Sequence, residues 1–249
     1  MNLKRHRLLI LGASILGIVV LVEVFFYLAY PEVRYSPKTL PRLTPEEYHY
    51  TLLKDNATVG EYTFRVYESG MFKGVKAYFS DSSTHIVYKN KTIEIESYYI
   101  FDERLKPLEY KLNITVEGVL YTLLCNFSES SVNALYKTHN ESGIREVNLP
   151  ENTILLDINM VGQWYLFFKS FDMVPNTRYS FTAFIPQYLD KMSMGIFVAA
   201  ETETIEIGGV KYECKVVKGT EQNFVYFIYG DQVLSFEDHD QNVVMYLLK

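Results

Sequence analysis

The sequence predicts a mainly β (α+β) fold: an N-terminal transmembrane helix, then a curved antiparallel sheet or half-barrel carrying one amphipathic helix. Three observations predict it. Leu8–Tyr30 is one long apolar run. Most of the chain past residue 46 alternates apolar and polar residues with a period of two. One stretch, 154–173, breaks that alternation with a period near a helical turn.

The apolar run "LLILGASILGIVVLVEVFFYLAY" (8–30) has 23 residues and one charge, Glu23. As a helix it would be about 34 Å long, against a bilayer core of about 30 Å. Lys4, Arg5 and Arg7 precede it, which makes 1–7 a cytoplasmic tail. A cleavable signal peptide has a similar outline. The run is long for one, however, and no clear small-x-small cleavage site follows. The expectation is an uncleaved signal-anchor, single-pass in the cell membrane, with bilayer lipid as its partner and the bulk of the chain extracytoplasmic. Pro31, Pro37, Pro41 and Pro45 then forbid regular helix, so 31–45 reads as an extended spacer. That leaves 46–249 as the β-rich domain.

Within it, Leu108, Tyr110, Leu112, Ile114 and Val116 fall on one face of a strand, with Glu109, Lys111, Asn113, Thr115 and Glu117 on the other. Glu117-Gly118 supplies a turn, and Val119, Tyr121, Leu123, Cys125 and Phe127 share the next face. Similar runs occur at 48–53, 61–68, 74–80, 92–101, 131–137, 178–185, 196–207, 210–217, 223–229, 232–237 and 242–248. Turn signals such as "KDNA", "YKNK" and "YGD" separate many of them. Aromatics make up 15% of the chain, with 21 Tyr and 16 Phe, and broad rings suit a pleated surface.

The exception is 154–173, where Met160, Val161, Trp164, Phe167, Phe168 and Phe171 recur at helical spacing until Pro175 and Asn176. Trp164, Tyr165, Phe167 and Phe168, with Met192 and Met194 from "FIPQYLDKMSM", are the candidate lining for an acyl chain or other apolar ligand. The plainer reading is that the helix fills the concave side of the sheet as core.

Location has a second witness. Five Asn-x-Ser/Thr triplets begin at Asn56, Asn90, Asn113, Asn126 and Asn140, where chance predicts roughly one or two. Three lie in predicted turns and two point outward on strands, so all are candidate glycosylation sites in an extracytoplasmic domain. Cys125 and Cys214 both point to the core side of their strands. They pair as a disulfide, or pack as two buried thiols.

Chemistry is sparse. His6, His49, His85, His139 and His239 belong to no metal-binding helix motif, and there is no nucleophile elbow or phosphate loop. "FEDHDQN" (236–242) is a dense polar cluster between two predicted strands, where turn chemistry explains it. The i, i+2 spacing of the pairs Glu94/Glu96 and Glu201/Glu203 only places each pair on one strand face, the wet one. No catalytic residue, metal ligand or cofactor is assigned. The net charge is −6; without the three basic residues of 1–7 and Glu23 it is −8, which repels nucleic acid.

"ATVGEYTFRVYESG" (57–70) and the pattern G-x-x-Y-x-C…YFIYGDQVLSFE (209–237) resemble a group of bacterial envelope proteins of unknown function. That group is related in architecture to lipoprotein-carrier half-barrels. The resemblance spans roughly 47–248 and implies a curved sheet wrapped around an apolar hollow capped by a helix. It brings no catalytic residues. The functional expectation is non-enzymatic binding of an apolar or lipidic ligand, with an envelope interaction or assembly module second and an envelope hydrolase third.

Overall fold

The computed structural model describes residues 32–157 and 161–248. The apolar run 8–30 and Met160 lie outside them. Among the described residues no helix is long and apolar enough to cross a membrane.

Among the described residues eighteen strands form one large curved sheet. Its first half is a meander: β1 (Glu32–Arg34), β2 (Glu46–Lys54), β3 (Ala57–Val66), β4 (Gly70–Phe72), β5 (Val75–Tyr88), β6 (Lys91–Phe101), β7 (Pro107–Val116), β8 (Val119–Phe127), β9 (Ser131–Lys137) and β10 (Ser142–Asn148). From β2 to β10 successive strands pair antiparallel, except that β3 and β4 both pair with β5. β11 (Ile154–Leu155) and α1 (Val161–Lys169) follow.

The second half comprises β12 (Thr177–Ile185), β13 (Asp190–Val198), β14 (Glu203–Ile207), β15 (Val210–Gly219), β16 (Phe224–Tyr229), β17 (Gln232–Asp238) and β18 (Val243–Leu248). β18 joins the halves by pairing with β2, from Val243↔Lys54 to Leu248↔His49. β1 and β11 both lie parallel on β12.

The sheet stays open between β10 and β12. Among the described residues side chains bridge that gap: Arg145 approaches Asp190 at 3.5 Å, and Lys191 Nζ donates to the Asn148 carbonyl at 2.7 Å. Inward positions carry large rings, among them Tyr50, Tyr62, Tyr99, Tyr110 and Tyr226, each 2% exposed or less. α1 lies against them inside the curve. Two-residue hairpins close one end of the sheet, with positive φ at Asp55 and Asn56 (51° and 63°) and at Lys89 and Asn90 (52° and 62°). Asn and Asp tolerate that geometry better than most residues.

Several expectations change. The helix occupies Val161–Lys169, not all of 154–173, because Ile154 and Leu155 pair with Ala183 and Phe184. The single strand expected over 196–207 is two, β13 and β14, which pair in turn with β15. β5 continues to Tyr88; its inward residues there include Ser80, Ser82 and Thr84, all buried. The segment 32–45 does not stand clear as a spacer. Tyr35, Leu40 and Leu43 are buried, the Tyr35 hydroxyl lies 2.7 Å from Ser170 Oγ, and the Leu40 N–H donates to Glu103 at 2.7 Å. Three apolar side chains find uncovered core at the end of α1, so the segment packs rather than extends.

Candidate functional site

The concave side is layered along the strands. At its base, where β2 begins, the C-terminal turn of α1 meets Glu46. The Tyr48 and Tyr165 hydroxyls donate to this carboxylate, Tyr165 at 2.6 Å, and Lys169 Nζ lies 4.0 Å away. Burial pushes the Glu46 pKa up, but the hydrogen bonds from Tyr165 and Tyr48 and the Lys169 charge outweigh it and hold the carboxyl below its ordinary range. Lys169 also sits 4.5 Å from the Tyr165 ring centroid.

Above the base the helix aromatics are close-packed. Trp164 lies 5.0 Å from Tyr226, Phe167 4.7 Å from Phe181, Phe168 5.2 Å from Tyr226 and Tyr165 5.0 Å from Tyr48, all centroid to centroid. Such tilted and edge-on pairs fix ring positions.

Next comes a buried polar belt across β3, β5, β6 and β7. Tyr62 hydrogen-bonds Ser82, Ser82 lies 2.9 Å from Ser97, and Ser97 hydrogen-bonds Tyr110. Tyr110 donates to the fully buried carboxylate of Asp157, which also accepts from Gln187 Nε2. Burial first, and then the Asp157 charge, raise the Tyr110 pKa well above the phenol range. Gln163 Oε1 accepts the Asp157 N–H, while Gln163 Nε2 and Gln187 Oε1 are buried without partners among the described residues. The belt is sealed: Tyr62, Tyr110 and Asp157 are each 0% exposed. It orders the interior and offers no open nucleophile.

Beyond the belt, past the first turn of α1, the strands continue to their hairpins, and among the described residues no helix packs between them. This leaves a cup of about 320 Å³ walled by Leu52, Ile86, Ile93, Ile95, Phe236 and Met245, with Lys54, Tyr88, Asp238 and Gln241 among its more polar residues. An apolar wall with a few polar groups is the usual character of a small-molecule site, and the volume lies at the low end of roughly 300–1,000 Å³.

The sequence-predicted lining divides. Trp164 and Met192 border a neighbouring hollow. Tyr165, Phe167, Phe168 and Met194 lie in the packed core. The cup residues were missed because each reads as an ordinary inward strand position; the signal available was Ile86, Ile93 and Ile95 flanking the "YKNK" hairpin. Asn56, Asn90, Asn113 and Asn140 are exposed, whereas Asn126 is half-buried and accepts from Lys73 Nζ at 3.5 Å. Of the two readings of the cysteines, the structure has the unpaired one. Cys125 and Cys214 are free, 0% exposed and in separate apolar clusters. Each faces its own side of the curved sheet, so the strands keep them apart. Among the described residues no three His, Cys, Asp or Glu side chains converge as metal ligands.

No family model matches the chain, and no curated protein matches it. Solved structures do. One is a β-barrel-like protein of the domain of unknown function DUF1849 from Brucella abortus, at TM-score 0.49 and 9% identity, covering 84% of this chain and 98% of that one. Another has a YmcC-like fold and comes from Bacteroides fragilis, at TM-score 0.35 and 7% identity, covering 85% of this chain and 98% of that one. Neither description names a lipoprotein carrier.

Proposed function

We propose that this chain is a single-pass membrane protein whose domain lies outside the cytoplasm and holds an apolar or lipidic ligand in the cup above the polar belt, without catalysing a reaction. One observation carries the reading: a hollow of about 320 Å³ whose wall is mostly apolar, lying between the polar belt and the hairpin end of the sheet. Burying an alkyl chain there gains about 0.8 kcal/mol per methylene. The basic tail, the apolar run 8–30 and the exposed sequons support the location.

The test is solvent extraction and mass spectrometry of the purified full chain, beside Ile86→Glu. Ile86 is only partly buried, so the variant retains its fold while placing a charge in the cup. Bound lipid in the parent, reduced about tenfold or more in the variant, is the expected result. Equal recovery from both would refute the reading.

A second reading, an envelope interaction module, is favoured by one feature. Leu135 and Ile144 are register partners on the outer face of the open β9–β10 edge, 48% and 73% exposed. An unpaired edge with an apolar row suits strand addition by a partner.

A further inference from the structure

The cup does not end at Phe236. Phe236, Asp238 and Gln241 are a shared wall, and beyond it lies a second hollow of about 240 Å³. Five rings border this hollow: Trp164, Tyr188, Phe224, Tyr226 and Phe236. Four of them brace one another, with Trp164 at 5.2 Å from Phe224 and 5.0 Å from Tyr226, and Tyr226 at 4.8 Å from Phe236.

Two carboxylates border the second hollow: Asp238, on the shared wall, and Asp240. Asp238 Oδ1 accepts the Gln241 N–H at 2.9 Å, and Asp240 Oδ1 accepts from Asn223 Nδ2 at 3.4 Å. Neither makes an ion pair among the described residues. Lys54, in the wall of the cup, donates to the Gln241 carbonyl at 2.8 Å instead.

Each part selects a chemistry. The cup suits an alkyl chain. Fixed aromatic faces attract a cation through their quadrupole, most strongly when it carries alkyl groups and little water. Unpaired carboxylates add attraction for the same charge and repel an anionic head. A domain that is already acidic reinforces that sign.

We propose that the two hollows form one bipartite site for a cationic amphiphile, its alkyl chain in the cup and its alkylammonium head among the rings beside Asp238 and Asp240. This deepens the cup reading and rests on it.

Trp164 is the chain's single tryptophan, so its fluorescence reports on this site. The full chain, held in an uncharged amphipathic polymer, is titrated with decyltrimethylammonium, decyl sulfate and decanol. The ammonium should shift Trp164 emission at a concentration about tenfold below the other two. In Asp238→Asn/Asp240→Asn, which keeps both Oδ1 acceptors and all five rings, the ammonium's advantage should shrink from about tenfold to about threefold, the share the rings supply alone. Equal binding by the three probes, or a cation preference undiminished by the double substitution, overturns the proposal. If decanol binds and Ile86→Glu abolishes it while the ammonium has no advantage, the head site falls and the cup stands. If no probe binds, both fall.

Discussion

The Gly162 backbone N–H donates to the Tyr62 hydroxyl at 2.9 Å, tying the first turn of α1 to the middle of β3. Glycine is required there by contact, since a Cβ at 162 would fall inside the Phe64 ring. Gly162→Ala should therefore cost about 1–3 kcal/mol through overpacking. Tyr62→Phe, which strips a buried N–H of its acceptor, should cost about as much. Urea denaturation of the two variants checks both; no change in midpoint for either would refute this account of the helix start.

Tyr110 and Asp157 offer a second test. Tyr110→Phe removes one donor from a buried carboxylate and should destabilise by about 1.5–3 kcal/mol, the range for hydrogen bonds to charged groups. Tyr110→Phe combined with Asp157→Leu should lose less than the sum of the single changes, because the charge that needed the hydroxyl is gone. A thermodynamic cycle over the four proteins measures this.

Acid should weaken the base of the fold. Glu46 is held below the ordinary glutamate range, so its contribution is fully present above the unfolded pKa, about 4.3. That contribution is lost as pH falls through the lower folded value. Glu46→Gln should flatten stability against pH between about 5 and 3. A parent-like acid slope in the variant would contradict this.

The thiols should be inert. Burial pushes Cys125 up to about 12 and Cys214 up to about 11, and only the thiolate reacts. A thiol reagent at neutral pH should label neither in the folded chain and both after denaturation. Rapid labelling of the native protein would count against the fold at β8 and β15.

In a glycosylating cell, with the domain outside the cytoplasm, glycans should appear on Asn56, Asn90, Asn113 and Asn140. Asn126, half-buried and bonded to Lys73, should stay bare. Glycopeptide mapping reads this directly, and modification at Asn126 would show that β8 opens.

Much of the sheet was legible in the chain. Residues 108–116 form a strand in which inward apolar and outward polar residues alternate, and 92–101 and 119–127 keep enough of that alternation to be read as strands despite an inward Ser97 and outward Leu120 and Leu124. The second half of β5 escaped that reading because its inward residues Ser82 and Thr84 are hydroxyls, and a hydrophobic pattern does not register them. β10 escaped because its largest apolar residue, Ile144, faces solvent. The aromatic content of α1 was plain, but which residues border open space was not. That depends on where the helix stops relative to the hairpins, a tertiary distance with no local signature. The belt from Tyr62 to Asp157 was equally hidden, since its members are far apart in sequence.

The pairing of β18 with β2 has a consequence for synthesis. The meander from β2 to β10 can zip as it emerges from the ribosome, each strand against the one before. One flank of β2 then stays bare until the last strand has been made, and the concave face stays unfilled until α1 has emerged. For most of its time as a nascent chain this protein presents a sticky sheet edge and a row of uncovered rings. Its folding in the cell is therefore a matter of shielding that half until the C-terminal residues arrive.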